Sequence, residues 1–301
     1  MDEIRDYAIK KGMKASDLAG QMADAGFQAS EIGEAVRIIK QMRKEKATVF
    51  LSFTANMVAS GMRGIIAQMV RDRFVDVIIT TGGSIDHDLI RTGKSYLKGD
   101  FSLDDSDLHK RGVNRLGNIL IPNDRYVFLE KRMQAIFSEL HKTKISWTPS
   151  ELILEIGKTI KDEGSFLHWA AKNNVPVFCP GITDSAIGLQ LYFFRQEHKD
   201  FQIDVAGDMK LADIVINAEK TGGIILGGGI SKHHTIGVNI LREGLDYAVY
   251  VTTSSPWDGS LSGATSNEAK SWSKIKEKGS TATIYGDASI ILPLIMARVM
   301  G

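Results

Sequence analysis

The chain is short of cysteine, of long apolar runs and of excess charge of either sign. Its 301 residues include one cysteine, Cys179, which alone can form neither an internal disulfide nor a thiolate metal cluster. Its 37 basic and 36 acidic side chains give a formal net charge of +1, so we do not expect a protein that binds nucleic acid. The first residues, MDEIRDYAIKKGMK, contain no apolar signal segment, and apolar runs elsewhere have only strand length. We therefore expect a cytoplasmic protein without a membrane partner.

Several motifs of common catalytic sites are also missing. The chain has no G-x-x-x-x-G-K-[ST] motif, which argues against P-loop nucleotide hydrolysis, and no G-x-G-x-x-G fingerprint. It has no H-E-x-x-H motif, and the adjacent His233 and His234 do not share a helix face. We therefore expect no metal site.

What the chain does contain is a series of short apolar runs separated by helical stretches. The runs are continuous rather than alternating, which is typical of strands covered on both faces. They span residues 48–54, 75–81, 175–179, 222–228, 247–253 and 281–286. This pattern predicts an α/β fold: a Rossmann-like, six-stranded parallel sheet with helices on both faces.

The remaining segments complete the predicted organisation. Residues 1–46 are polar with helical spacing and predict a helical N-terminal extension, with Ser30 capping a helix that carries Ile32, Val36 and Ile39. Residues 47–301 would form the main domain, which contains the sheet, with a largely helical insertion at about 85–174. Thr148, Pro149 and Glu151 predict a helix that begins at about residue 149.

Small and hydroxylic residues follow each predicted strand. They include Gly82-Gly83-Ser84, Gly227-Gly228-Gly229 and Asp287-Ala288-Ser289. At the carboxyl ends of parallel strands, such residues expose backbone amides that suit phosphate oxygens. Glycine after a strand is more often simple turn chemistry, but its recurrence at five or six strand ends predicts a dinucleotide crevice.

Residues 231–276 are dense in groups capable of chemistry. Indole and phenol faces next to carboxylates suit a flexible amine ligand. Simpler interpretations remain open: the two histidines could be surface residues, and Trp257 and Trp272 could anchor a core or an interface. The lysines of this region would ordinarily form a solvated face: Lys270, Lys274, Lys276 and Lys278.

The segment from Trp257 through Glu268 to Lys274 closely resembles the active-site segment of the deoxyhypusine synthase family. Similar blocks extend over nearly the whole chain from about residue 25. They are Thr54–Asn56, VDVIITTGG with Asp88, Asn114–Asn118, Trp147–Ser150, Pro176–Phe178 to Asp184, Gly227–Gly229 with Lys232 and His233, and Asp287–Ser289.

The resemblance implies an NAD-dependent transferase. Such an enzyme moves the 4-aminobutyl group of spermidine to one lysine of the translation initiation factor 5A precursor, through an imine on an enzyme lysine. By family correspondence Lys274 is that nucleophile, and His233 is a catalytic histidine that also contacts the donor. Tyr250, Glu268 and Trp272 match substrate-binding positions. The cofactor positions are matched or neighboured by Asn56, Thr81, Gly82, Asp184, Gly228, Gly229, Thr253, Asp258, Ser262, Asp287 and Ala288.

Two departures from the family pattern concern the amine donor. Eukaryotic members carry aspartates where this chain has Leu189 and Leu261, which leaves Glu268 as the obvious amine partner. Archaeal-type members look similar at some of these places. Two alternatives stay open: a homospermidine-forming aminobutyltransferase that uses putrescine as the acceptor, and a non-catalytic nucleotide-binding protein. The resemblance also implies a homotetramer.

Overall fold

A computed structural model describes residues 3–301 of the chain. Its α helices are α1 (Ala15–Gln21), α2 (Gln28–Lys44), α3 (Ala55–Ala59), α4 (Arg63–Arg71), α5 (Gly82–Arg91), α6 (Asp105–Lys110), α7 (Asp124–His141), α8 (Pro149–Lys158), α9 (Phe166–Asn173), α10 (Ala186–Glu197), α11 (Leu211–Asn217), α12 (Gly229–Val238), α13 (Ser266–Ser271) and α14 (Ala288–Met300). Its strands are β1 (Thr48–Phe53), β2 (Val77–Ile79), β3 (Leu97–Lys98), β4 (Val113–Leu116), β5 (Ile119–Pro122), β6 (Ser146–Trp147), β7 (Val177–Phe178), β8 (Gln202–Ile203), β9 (Thr221–Leu226), β10 (Leu245–Thr252) and β11 (Ile275–Tyr285).

Six of these strands form the main sheet, in the order β11-β10-β9-β1-β2-β7. Counted along the chain, this order is 3-2-1-4-5-6, that of doubly wound dinucleotide-binding folds. The pairings of β1 with β2 and β9, and of β10 with β9 and β11, are parallel. All six strands lie within or overlap the predicted runs, so the predicted sheet is confirmed.

The helix predicted near residue 149 is also confirmed. The Oγ1 of Thr148 accepts a hydrogen bond from the Glu151 amide at 3.3 Å, and the Glu151 carboxylate accepts one from the Thr148 amide at 3.0 Å. This reciprocal pair satisfies two amides that would otherwise lack partners, and Pro149 occupies the first helical position.

The N-terminal region is helical as predicted, but the predicted cap is wrong. Helix α2 begins at Gln28, so Ser30 lies inside its first turn, where its hydroxyl donates to the Phe27 carbonyl at 2.7 Å. A hydroxyl that donates in this way does not cap the amides of the first turn. The apolar face is as expected, because Ile32, Val36 and Ile39 are all buried.

The chain divides into two compact units. The first comprises Met1–Phe53, Phe74–Ile79 and Lys210–Gly301, and the second comprises Thr54–Arg73 and Thr80–Met209. These limits do not coincide with the boundary expected at residues 46 and 47, which stays a prediction. The second unit holds α5–α9 and a three-stranded antiparallel sheet, β3-β5-β4, which the sequence analysis did not anticipate.

A buried ion pair stabilises the second unit internally. The Arg63 guanidinium donates to the Asp88 carboxylate at 2.5 Å, and both side chains are almost wholly enclosed. The same carboxylate accepts from the Ser165 hydroxyl and the Leu167 amide, at the start of α9. Three donors compensate the cost of removing this charge from water.

Candidate functional site

The first unit contains a cavity of about 220 Å³ at one end of α12 and α13. All five residues with catalytic or substrate-binding roles in the resemblance line it. The lining comprises Lys232, His233, Ile236, Tyr250, Gly259, Leu261, Ala264, Thr265, Glu268, Ala269, Trp272 and Lys274. The structure therefore brings together all five predicted catalytic and substrate residues in one pocket.

A short hydrogen-bonded segment carries three of these five predicted residues. The Thr265 hydroxyl caps α13 by accepting from the Glu268 amide at 3.2 Å, which sets Glu268 in the first turn. At the other end the amides of Trp272 and Lys274 both donate to the Ala269 carbonyl. Ser273 between them has φ of 53°, a left-handed conformation that turns the chain from α13 into β11. Local backbone geometry thus keeps Glu268, Trp272 and Lys274 close together.

The environment of Lys274 is aromatic but open. Its Nζ lies 5.2 Å from the centroid of the Trp272 ring, within the range of a cation–π contact. Trp272 is itself 64% exposed, so the indole does not enclose the amine in this chain.

Tyr250 forms the inner wall of the pocket. It is 1% exposed and packs in an apolar cluster with Ile225, Ile236 and Ile275, against which Leu261 is placed. Its phenol oxygen is buried and finds no hydrogen-bond partner in residues 3–301. Burial raises the pKa of this phenol above its ordinary value, so the group is a neutral donor at physiological pH. A buried hydroxyl that lines a cavity without a partner is suited to bind a polar ligand atom.

The sequence analysis named Lys232 only within a matching block and assigned it no role in this pocket. Its side chain is 1% exposed, and its Nζ lies 4.3 Å from the centroid of the Tyr250 ring. Burial lowers its pKa to about 8. The available signal was its position in α12, where Thr235 and Ile236 follow at helical spacing and are also buried. His233, the next residue, is exposed at the pocket.

The two leucines that replace family aspartates lie in different places. Leu261 lines the pocket, so an apolar side chain occupies the wall next to Tyr250. Leu189 belongs to α10 of the other unit and is 53% exposed. Glu268 is the only carboxylate that lines this pocket in the described chain.

Three predicted cofactor residues of the first unit meet where β9 leads into α12. The Gly229 amide donates to the Ser262 hydroxyl at 3.2 Å, and a Cβ on Gly228 would lie 2.4 Å from the Ser262 Cα. Gly229 has φ of +66°, and no other heavy atom described comes within 4 Å of the place where its Cβ would be. The backbone here is open to close approach by a ligand.

The other predicted cofactor residues of this unit follow β10 and β11. Thr253 is exposed directly after β10. The Asp258 carboxylate accepts from the Ser260 amide at 2.7 Å, and this hydrogen bond holds the pKa of that carboxyl below its usual value. Asp287 caps α14 by accepting from the Ser289 amide, and Ala288 is the first residue of that helix.

The second unit carries the remaining four predicted cofactor residues. Gly82 begins α5, and a Cβ on it would lie 3.3 Å from the Asp184 carbonyl oxygen and 2.4 Å from the Ser185 Cβ. Thr81 immediately precedes that helix, and its hydroxyl lies 3.4 Å from the Ser84 hydroxyl in the first turn. Asn56 lies in the first turn of α3 and accepts from the Thr54 hydroxyl at 2.6 Å. Gly82 and Asp184 are thus neighbours, while Asn56 follows the adjacent strand.

Residues 3–301 contain no group of three or more His, Cys, Asp or Glu side chains arranged to hold a metal ion. Over the same span, no helix has the length and apolar character needed to cross a membrane.

The strand order and the lysine-bearing pocket define a doubly wound α/β protein of the dinucleotide-binding type. A family model described as deoxyhypusine synthase matches residues 17–299. The chain therefore belongs to the deoxyhypusine synthase family.

Similar proteins come from archaea. A "Probable deoxyhypusine synthase" of Thermoplasma acidophilum is 46% identical over 297 residues, which cover 98% of this chain and 96% of that protein. Another of the same name, from Methanocaldococcus jannaschii, is 46% identical over 91% of this chain and 89% of its own length.

Among solved structures, an Entamoeba histolytica protein described as a deoxyhypusine synthase has a TM-score of 0.70 at 24% identity. The match covers 99% of this chain and 96% of that one. AgrE, solved with ornithine and NAD+, has a TM-score of 0.55 at 13% identity, over 90% of this chain and 33% of its own. These likenesses concern the fold.

Proposed function

We propose that this chain is a deoxyhypusine synthase that uses NAD to transfer the 4-aminobutyl group of spermidine to a lysine of the translation initiation factor 5A precursor. The observation that carries the proposal is the pocket in which Lys274, Glu268, Trp272, His233 and Tyr250 meet. Family membership supports the same reaction.

Each pocket residue has a role that its position supports. Lys274, at the start of β11, is the nucleophile: its neutral amine attacks the carbon of the oxidised donor and becomes the enzyme imine, while 1,3-diaminopropane leaves. His233 at the pocket edge exchanges a proton with the donor's secondary amine. Glu268 pairs with a donor ammonium, and the Trp272 face supports the amine chain.

The residues present fit a dinucleotide. In the first unit Gly229 begins the ten-residue helix α12, and in the second unit Gly82 begins the ten-residue helix α5. Helix N-termini of this kind bind phosphate oxygens. The strand order of the main sheet reverses between β1 and β9, and Gly229 follows β9. AgrE supports the assignment, because it shares the fold and was solved with NAD+.

When bound, NAD would accept a hydride from the donor carbon next to the secondary amine and later return it. Four residues of the first unit would hold the dinucleotide: Gly229 and Ser262, and Asp287 and Ala288 at the start of α14. The acceptor lysine of the factor 5A precursor would take the aminobutyl group from Lys274.

We also propose a homotetramer, which the family resemblance implies, and a cytoplasmic location. Light scattering of the purified protein tests the first: a stable, active monomer would refute the tetramer.

The experiment that tests the reaction is trapping of the covalent intermediate. The protein is incubated with NAD and labelled spermidine, with and without the factor 5A precursor, and is then reduced with borohydride and mapped by peptide mass. We expect an aminobutyl adduct on Lys274 that moves to the precursor when the precursor is present. Lys274→Ala and Lys274→Arg should abolish the adduct while NAD binding remains, and Lys270→Ala on α13 is the matched control.

Other outcomes separate the alternatives. An adduct that moves only to putrescine would identify a homospermidine-forming enzyme. No adduct with any polyamine, or full transfer by Lys274→Ala, would refute the proposed mechanism.

A further inference from the structure

The ammonium of Lys232 is buried in the pocket wall without a charged partner in contact. Lys232 is 1% exposed and forms no ion pair within residues 3–301, and the carboxylate of Glu268, which lines the same pocket, acts on it only through its charge. Burying an ammonium without such a partner is costly, and a methionine would fill the same volume without that cost. The contacts that the ammonium does make are therefore informative.

Lys232 makes two contacts that use its charge. Its Nζ donates to the Ala264 carbonyl at 2.7 Å and lies 4.3 Å from the centroid of the Tyr250 ring. A charged donor forms a stronger hydrogen bond than a neutral one, and the aromatic face adds a cation–π attraction. These contacts connect three elements of the first unit: α12, β10 and the loop before α13.

Ala264 is where the segment that bears the reactive groups begins. Its amide donates to the Ser260 carbonyl at 3.1 Å, and the next residue, Thr265, caps α13. At the far end of the segment the Leu245 amide donates to the Lys274 carbonyl at 3.1 Å. Lys232 thus holds the first residue of the segment 264–274, and Leu245 of β10 holds the last.

We propose that Lys232 is a positioning residue, which fixes residues 264–274 against Tyr250 and thereby sets Glu268 and Lys274 in the geometry for attack on the donor. This inference rests on the proposed function and deepens it. The ammonium of Lys232 donates to the Ala264 carbonyl and faces the Tyr250 ring, so we expect it to hold this segment rather than to bind the donor. Its loss should therefore affect the chemical step more than the binding of donor or cofactor.

The test compares Lys232→Met with Lys232→Arg, and uses Lys278→Met on the exposed part of β11 as the matched control. Adduct formation on Lys274 is measured at saturating spermidine and NAD. In Lys232→Met we expect the maximal rate to fall about 10- to 100-fold, since small misplacements of reacting groups have effects of this size. The KM for spermidine and the Kd for NAD should stay within twofold. Lys232→Arg keeps a charged hydrogen-bond donor and should retain most of the wild-type rate. Lys278→Met should match the wild type.

Hydrogen exchange gives a second measurement that does not depend on the reaction. In the full chain without donor, the amides of residues 264–274 should exchange at least about tenfold faster in Lys232→Met than in the wild type or Lys232→Arg. Unchanged exchange would overturn the proposal whether or not the protein is active. A rise in the KM for spermidine at unchanged maximal rate would also overturn it, since Lys232 would then bind the donor. Absence of any adduct in the wild type, by contrast, would count against the proposed function alone, and exchange would still decide the role of Lys232.

Discussion

The backbones of Gly228 and Ser262 lie so close that a Cβ on Gly228 would stand 2.4 Å from the Ser262 Cα. The contact brings the loop after β10 onto the start of α12, where the Gly229 amide donates to the Ser262 hydroxyl. Two segments that are more than 30 residues apart therefore build one backbone surface, and this surface belongs to the proposed dinucleotide site.

Gly228→Ala should weaken NAD binding. The new methyl group would collide with backbone rather than with a flexible side chain, so the loop that carries Ser262 must move. We expect the Kd for NAD, measured by titration calorimetry, to rise at least about tenfold, equivalent to about 1.4 kcal/mol. Gly64→Ala in α4 is the control, because no heavy atom among residues 3–301 lies within 4 Å of that Cβ position. Equal affinities for the two variants would remove Gly228 and Ser262 from the cofactor site.

Tyr250→Phe should weaken donor binding without lowering the stability of the fold. The phenol oxygen of Tyr250 is buried and has no partner among the described residues, so its removal relieves an unsatisfied polar group. We expect the free energy of unfolding, from urea titration, to stay the same or rise by up to about 1 kcal/mol. If the phenol binds a donor amine, the KM for spermidine should rise by about 5- to 20-fold at the same time. An unchanged KM would mean that the hydroxyl has no part in donor binding.

How far the sequence predicts this fold depends on the kind of strand. The strands of the main sheet are buried on both faces and appear as continuous apolar runs, so all six were predictable. Strands β4 and β5 are four residues long and mostly part-exposed, and such pieces leave little hydrophobic signal. The pair Gly117-Asn118 between them was the available clue, because a two-residue turn with Gly at φ of +60° indicates a hairpin.

The site was predictable only in part, for a similar reason. Lys274 and Glu268 belong to a continuous segment whose pattern is recognisable without knowledge of packing. The contacts of Lys232 were not predictable, because they are made with Tyr250 and Ala264, which lie 18 and 32 residues further along the chain. Only the folded chain shows that this lysine is buried.

Asp88→Asn should be strongly destabilising. The Asp88 carboxylate is fully buried against Arg63, so its neutralisation leaves an enclosed guanidinium with less compensation. We expect a loss of about 3–5 kcal/mol in the free energy of unfolding at pH 7, measured by urea titration. The control is Asp72→Asn, which breaks the exposed pair with Arg71 and should cost less than about 1 kcal/mol. Similar losses at the two positions would contradict this account of the buried pair.

His87 should make stability depend on pH over a defined range. Its Nδ1 lies 2.7 Å from the Tyr96 hydroxyl, and burial, together with the charge of Arg91, lowers its pKa from 6.5 to about 4. Between these values the unfolded chain binds a proton that the folded chain does not, so stability falls as pH falls from about 6.5 to about 4. The loss attributable to His87 is about 3 kcal/mol, and no further loss follows below that range.

His87→Gln removes this titration and keeps a hydrogen-bonding side chain next to Tyr96. Urea titrations at pH 7, 5.5 and 4 should show the wild type losing about 3 kcal/mol more than His87→Gln across the range. The exposed His109 supplies the control, because His109→Gln should follow the wild type at every pH. If His87→Gln instead ran parallel to the wild type, the imidazole would be protonating in the folded chain as readily as in the unfolded one. Burial by the surroundings of α5 would then not be what keeps it neutral.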